Sequence, residues 1–267
     1  MLSMCTPRRN ILPLVRYMGI SRSKPGCGQS QQFSSDIPTF PTFKEHHRHI
    51  LTHMAATFRY FTRQNYVEGQ SGHISVRDPK FPNLMWMNPL SRHFGMLIAG
   101  DMLCIDISSG EIVREAPNPT TGGRTANMAG YYIHSAVYLR RLDIHAICHA
   151  HGVSGRAWSD VCNFYGNFAV YDAYNGVVFG PQEGINIAEA LGSNKKAATL
   201  MNHDLLTCGE TVDEAGFMFG LLERPCEIQL QAEAAAANGI AKKIITDEEA
   251  AYNSKMASEK NSLYREA

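Results

Sequence analysis

The sequence predicts an α/β protein whose strands and helices are mixed rather than strictly alternating. Three observations carry this. Ile144–His151 is a short apolar run ending in His-x-His, the pattern of a buried strand. From Lys44 to Asn65 the apolar residues Ile50, Leu51, Met54, Phe58 and Phe61 recur at helical spacing. Further short strand-like runs are separated by Gly, Pro and Ser turns, with helical patterns before and within the series.

Taken in order, Asp36–Phe43 is Pro-rich and extended, a linker into the domain. The Lys44 helix carries His46, His47, His49 and His53. These read as its solvated face, because adjacent His46 and His47 cannot share one side of a helix. After a turn at Gly69–Gly72, strands are predicted at His73–Arg77, Leu84–Met87 and Met102–Ile107, the last ending at Ser108-Ser109-Gly110. Pro117, Pro119, Gly122 and Gly123 mark a loop, and a helix starting at Thr125 feeds the central strand. Asn163–Tyr174 and Val177–Phe179 are strand-like. Pro181 opens a helix that Gly192 closes. Ala197–His203 is another apolar strand that ends on a histidine. Thr211 and Glu214 form a capping box for a long helix toward Ala237, which Pro225 should kink or interrupt. From Lys242 onward no apolar stripe is legible.

Composition narrows the function classes. Lys+Arg and Asp+Glu both number 25 in 267 residues. That balance argues against partners recruited by bulk charge, whether nucleic acid or a membrane surface. No apolar run approaches the length of a membrane span. The seven cysteines show no CxxC pair, and Cys104, Cys148 and Cys208 sit in apolar runs, as buried thiols do. A reducing, cytoplasmic setting fits better than a secreted disulfide scaffold. Residues 1–35 hold no Asp or Glu but carry Arg8, Arg9, Arg16, Arg22 and Lys24. This fits a mitochondrial presequence or a disordered leader with no address; Pro13 weakens a helix there.

The candidate site is histidine-based. Side chains alternate along a strand, so His149 and His151 point the same way. His203 offers a third imidazole. Three neutral imidazoles with an open fourth position is the pattern of catalytic zinc, although imidazole also suits iron, nickel and copper. The competing reading is three unrelated core histidines, since spacing alone does not bring the strand ends together.

The motifs in order are Gly72-His73-Ile74-Ser75-Val76-Arg77-Asp78-Pro79, Asn88-Pro89, Ala99-Gly100-Asp101, His134-Ser135-Ala136-Val137-Tyr138, Cys148-His149-Ala150-His151 and Asn202-His203-Asp204-Leu205-Leu206-Thr207. Together they resemble the class II aldolase/adducin family, closest in flavour to its fungal members. The resemblance covers residues 44–250, with 1–43 left as leader and linker and 251–267 as a tail. It implies a three-layer α/β/α fold around a central, mostly antiparallel sheet. It also implies zinc (or Fe2+) held by His149, His151 and His203, a small-molecule substrate, and a homotetramer with sites between subunits.

Departures from the family pattern bear on function. In the related aldolases a glutamate four residues before the equivalent of His134 is the base at the metal; here that position is Gly130, as in the adducins. The neighbouring Asn127 and Met128 are no bases at neutral pH. The family's Asn-His-Gly is Asn202-His203-Asp204; aspartate suits a tight turn less well than glycine but offers a carboxylate beside the metal ligands. The segment between Trp158 and Cys162 is shorter than in the related fungal sequences. Leu90, Met128 and Ala129 stand where the sugar-phosphate aldolases bind phosphate, so the implied substrate is a non-phosphorylated hydroxy-carbonyl compound. Tyr165, Tyr171 and Tyr174 are candidate proton donors, and Asp204 or Glu68 candidate replacements for the base. Three readings stand: a metal-dependent lyase of the aldolase type, an adducin-like non-catalytic module acting on actin or another assembly, and an Fe(II) oxygenase or decarboxylase on the same scaffold.

Overall fold

The computed structural model describes residues 37–67, 71–90, 92–115, 125–152, 164–173, 180–242 and 244–257. Outside them lie the acid-free leader, Glu68, the Pro117–Gly123 loop, the Trp158–Cys162 segment, Tyr174, the Val177–Phe179 strand and the last ten residues of the expected tail. Among the described residues eight strands form one sheet in the order β4-β3-β2-β1-β5-β8-β7-β6. In chain order they are β1 (His73–Arg77), β2 (Leu84–Met87), β3 (Leu103–Asp106), β4 (Ile112–Glu115), β5 (Ala146–Ala150), β6 (Phe168–Tyr171), β7 (Ala197–Leu200) and β8 (Asp204–Gly209). Only β6 and β7 pair in parallel; every other neighbour pair is antiparallel.

Strand alternation gives the sheet two apolar faces. Ile74, Val76, Cys148, Ala150 and Leu205 pack with residues of α1 (Phe43–Arg63) and α4 (Val212–Ala237). Ile147, Ala198, Leu206 and Cys208 pack with α2 (Met128–Arg140) and α3 (Pro181–Leu191) on the other face. This is the three-layer α/β/α arrangement, with helices on both sides of a mostly antiparallel sheet. Ile74 and Ile147 are fully buried on opposite faces; removing such side chains from water contributes roughly 1.5–3 kcal/mol each. Among the described residues no helix is long and apolar enough to cross a membrane.

Several expectations are corrected. Helix α2 starts at Met128, not Thr125. The Leu90 N–H donates to Thr125 O and Ala126 bridges Pro89, which keeps these two residues extended, and Asn127 caps the helix through the Gly130 N–H. The apolar run from Ala197 stops at Leu200, and Met201–His203 form a turn into β8. Among the described residues of Asn163–Tyr174 the strand is Phe168–Tyr171. Strands β4 and β8 and helix α5 (Asp247–Ala257) had no legible signal, and α5 spans residue 250. Pro225 does not end α4; Leu222 and Cys226 on either side of it are buried in the α1–α4 core, which holds the helix where one hydrogen bond is missing. Thr211 caps α4, but Glu214 returns its carboxylate to the Glu210 N–H and to Lys196 rather than to Thr211. The α1 histidines are not a free solvated face: His47 bonds Asp78 at 2.8 Å and His53 bonds Asp213 at 2.6 Å.

Candidate metal centre

His149, His151 and His203 converge: one ligand nitrogen from each lies within 4.8 Å of the others. His149 stands on β5, His151 just past its end, and His203 in the β7–β8 turn. The β5–β8 pairing, Ala150 opposite Leu205, brings the two ends together. Asn202 takes the left-handed conformation at φ 57°, turning the chain so that His203 faces β5. Asp204 therefore carries no turn strain; it is the first residue of β8 and fully buried.

The His149 Nδ1 is 2.7 Å from Leu205 O. A carbonyl only accepts, so Nδ1 holds the proton and Nε2 presents its lone pair, the state a metal needs. Nε2 of His149 and Nε2 of His203 are 3.1 Å apart, close to the about 3.4 Å edge of a tetrahedron with zinc–nitrogen bonds of about 2.1 Å. Burial, then the neighbouring His73, His203 and His151, hold the His149 pKa well below its ordinary value, so the ring is neutral. The donor set fits a divalent borderline metal.

Behind this group lies a buried relay. His73, opposite His149 in the β1–β5 register, stacks on it with ring centroids 4.7 Å apart. His73 Nδ1 is 2.7 Å from His134 Nε2, and His134 Nδ1 is 2.6 Å from Ser75 Oγ. Ser75 Oγ is 2.9 Å from the Tyr138 hydroxyl, which donates to His145 O at 3.3 Å. The carbonyl end fixes the direction of the chain. Each group donates toward His145, so His73 Nε2 is left with a lone pair. A Cβ on Gly130 would sit 2.5 Å from Cγ of His73. The strand histidine thus occupies the space that a side chain at this helix position would need.

The other candidates fall elsewhere. The Asp204 carboxylate accepts its neighbour's Leu205 N–H at 2.8 Å and is not a member of the three-histidine group. Tyr171 is buried beside Glu183 and Asn186, and burial raises its pKa. Tyr165 is exposed in the turn before β6. Sequence reasoning missed His73 and His134, and also Glu223. That α4 carboxylate is buried and lies so close to Gly152 that a Cβ there would be 2.4 Å from it, one residue beyond His151. The His73–His149 register is a long-range fact with no local signal.

Comparison with known proteins is consistent with this geometry. The family described as Class II Aldolase and Adducin N-terminal domain matches residues 52–230. The Meiotically up-regulated gene 14 protein of Schizosaccharomyces pombe is 36% identical over 216 residues, covering 76% of this chain and 80% of its own length. A 4-hydroxy-3-prenylphenylpyruvate oxygenase/4-hydroxy-3-prenylbenzoate synthase of Streptomyces roseochromogenus is 35% identical over 210 residues, covering 74% of this chain and 73% of the enzyme. Among solved structures, an L-fuculose 1-phosphate aldolase from Glaciozyma antarctica superposes with a TM-score of 0.75 at 30% identity, over 87% of this chain and 90% of the aldolase.

Proposed function

The chain belongs to the class II aldolase and adducin family, and from that premise we propose that it is a metal-dependent carbon–carbon lyase acting on a small, non-phosphorylated hydroxy-carbonyl compound. The observation that carries this reading is the convergence of His149, His151 and His203, with His149 tied to Leu205 so that its Nε2 is free to ligate. Zinc is the proposed metal and Fe(II) the alternative. When bound, the ion supplies Lewis acidity toward a carbonyl and its neighbouring hydroxyl.

The chain's own groups supply the proton chemistry. His73 stands in the space of the family's glutamate, and its Nε2 lone pair is the proposed acceptor of a substrate hydroxyl proton. The hydrogen bond to His134 orients the ring, and the relay through Ser75 and Tyr138 stabilises the charge it gains. Asp204 is assigned a positioning part beside His203, and Tyr174 the donor part. Leu90 and Met128, both exposed and apolar, offer no phosphate ligand, which supports a non-phosphorylated substrate. The proposed assembly is a homotetramer.

The test is turnover. Protein loaded with zinc, and separately with Fe(II), is incubated with hydroxy-carbonyl acids and sugars while aldehyde, carbon dioxide and oxygen are followed. Metal-dependent cleavage lost in His149→Ala/His151→Ala supports the lyase. Oxygen uptake with Fe(II) alone moves the assignment to an oxygenase, the activity in the Streptomyces relative's name. Gly130 specifically favours a second reading, an adducin-like assembly module. Absence of turnover with either metal, together with co-sedimentation on actin filaments, establishes that reading instead.

A further inference from the structure

We infer that His49, His53 and Asp213 form a second divalent-metal site, separate from the His149 centre, that joins helix α1 to the start of helix α4. Their ligand atoms all lie within 4.8 Å of one another, the only such group among the described residues besides the His149 triad. His49 and His53 are four apart on α1, so they rise one above the other on the same face. Their ring centroids are 3.8 Å apart. Asp213, in the first turn of α4, brings its Oδ1 to 2.6 Å from His53 Nδ1.

This combination is unusual for a structural hydrogen bond alone. A single Asp–His pair needs no second imidazole packed against it at a tilt of 37°, and two imidazoles in contact repel as soon as both are charged. Phe40 packs on His49 with centroids 4.7 Å apart and limits its rotation. A metal ion takes the place of the proton that His53 and Asp213 share, so binding releases that proton and leaves the carboxylate and two imidazoles as ligands. Two nitrogens and one oxygen suit zinc, cobalt, nickel or Fe(II), with remaining positions for water. A pocket lined by Phe40, His46, His145 and Glu210 adjoins His49 and Asp213 and has room for a small ligand.

The two centres are independent. His145 lines this pocket just before β5, whereas His149 and His151 stand at the far end of the same strand. They also occupy opposite faces of the sheet: α1 and α4 cover one, and His149 points to the face of α2.

Zinc titrated into the chelator-stripped full chain tests this, with bound metal counted by elemental mass spectrometry. Wild type should bind two ions per chain, His49→Ala/His53→Ala one, and His149→Ala/His151→Ala one. With Co2+, the His149→Ala/His151→Ala protein should show a visible ligand-field band that disappears when the α1 pair is also replaced. Asp213→Asn keeps a hydrogen-bond partner for His53, so it should retain the far-UV circular dichroism of the fold while weakening zinc at the second site about tenfold or more. Equal zinc content in wild type and His49→Ala/His53→Ala overturns the inference, as does unchanged affinity in Asp213→Asn. Wild type binding a single ion that is lost only with the α1 pair would sink the His149 centre instead, so the two failures are distinguishable.

Discussion

The Cα of Gly130 lies against the ring of His73, with 2.5 Å left to Cγ and 2.6 Å to Cδ2 for any added Cβ. A side chain on the helix and an imidazole on the strand cannot both occupy this space. Elsewhere in a helix, Gly→Ala would stabilise by roughly 0.5–1 kcal/mol. Here both partners are buried and the contact is to a ring held by His134 and His149, so the clash wins. Gly130→Ala should destabilise by about 1–3 kcal/mol in urea unfolding. His73→Ala should relieve that loss in the double variant. A stabilised Gly130→Ala protein would mean that the ring has room to move.

The same contact separates binding from chemistry. His73→Asn should keep the metal, since His73 is not one of the three convergent ligands. It should lower kcat by about 10²–10⁴-fold if the ring is the base. Metal content and turnover measured on one preparation check this. Full activity in His73→Asn would return the search to Asp204 and Glu223.

His134 gives a pH signature. It is fully buried, and burial first, then the neighbouring His149, holds its pKa well below the ordinary 6.5. Below pH 6.5 the unfolded chain takes up a proton that the folded protein refuses. The stability contribution is therefore complete above pH 6.5 and is lost as the pH falls toward the depressed folded value. Metal-free wild type should lose about 1.4 kcal/mol per pH unit more than His134→Asn across this window. Parallel stability–pH curves would contradict the assignment.

Arg77 closes the back of the relay. Its guanidinium donates to Ile144 O, Pro82 O, Tyr138 O and Arg141 O, and its carbon lies 4.6 Å over the Tyr138 ring. A lysine ammonium is a compact charge that cannot span this fork. Arg77→Lys should cost about 2–4 kcal/mol of stability, read from denaturant midpoints, because buried carbonyls lose charged donors.

What the sequence made legible was local. Short apolar runs set off by turn residues marked β1, β2, β3 and β5, and Pro181 and Gly192 bounded α3 within a residue. The His-x-His pair followed from strand alternation. Features that depend on distant pairing were hidden. His203 reaches the site from a turn set by Asn202, not from the end of a strand. Strand β4 is a short pairing partner of β3, with a register shift that blurs its pattern. His73 read as an ordinary strand residue until its register opposite His149 placed it beside the site, and the same pairing explains Gly130, which the sequence showed only as a missing glutamate. On α1, the adjacency of His46 and His47 argued for a solvated face, but Asp78 and Asp213 come from remote segments to meet His47 and His53.

The most direct test of the account is the metal content of the chain expressed and purified without added metal, beside His149→Ala/His151→Ala. The three-imidazole centre predicts that the variant carries one zinc or iron ion per chain fewer than wild type. The identity of that ion selects between lyase and oxygenase assays. Equal metal content in the two proteins would mean that His149, His151 and His203 do not hold an ion, and the adducin-like assembly reading would replace the enzyme.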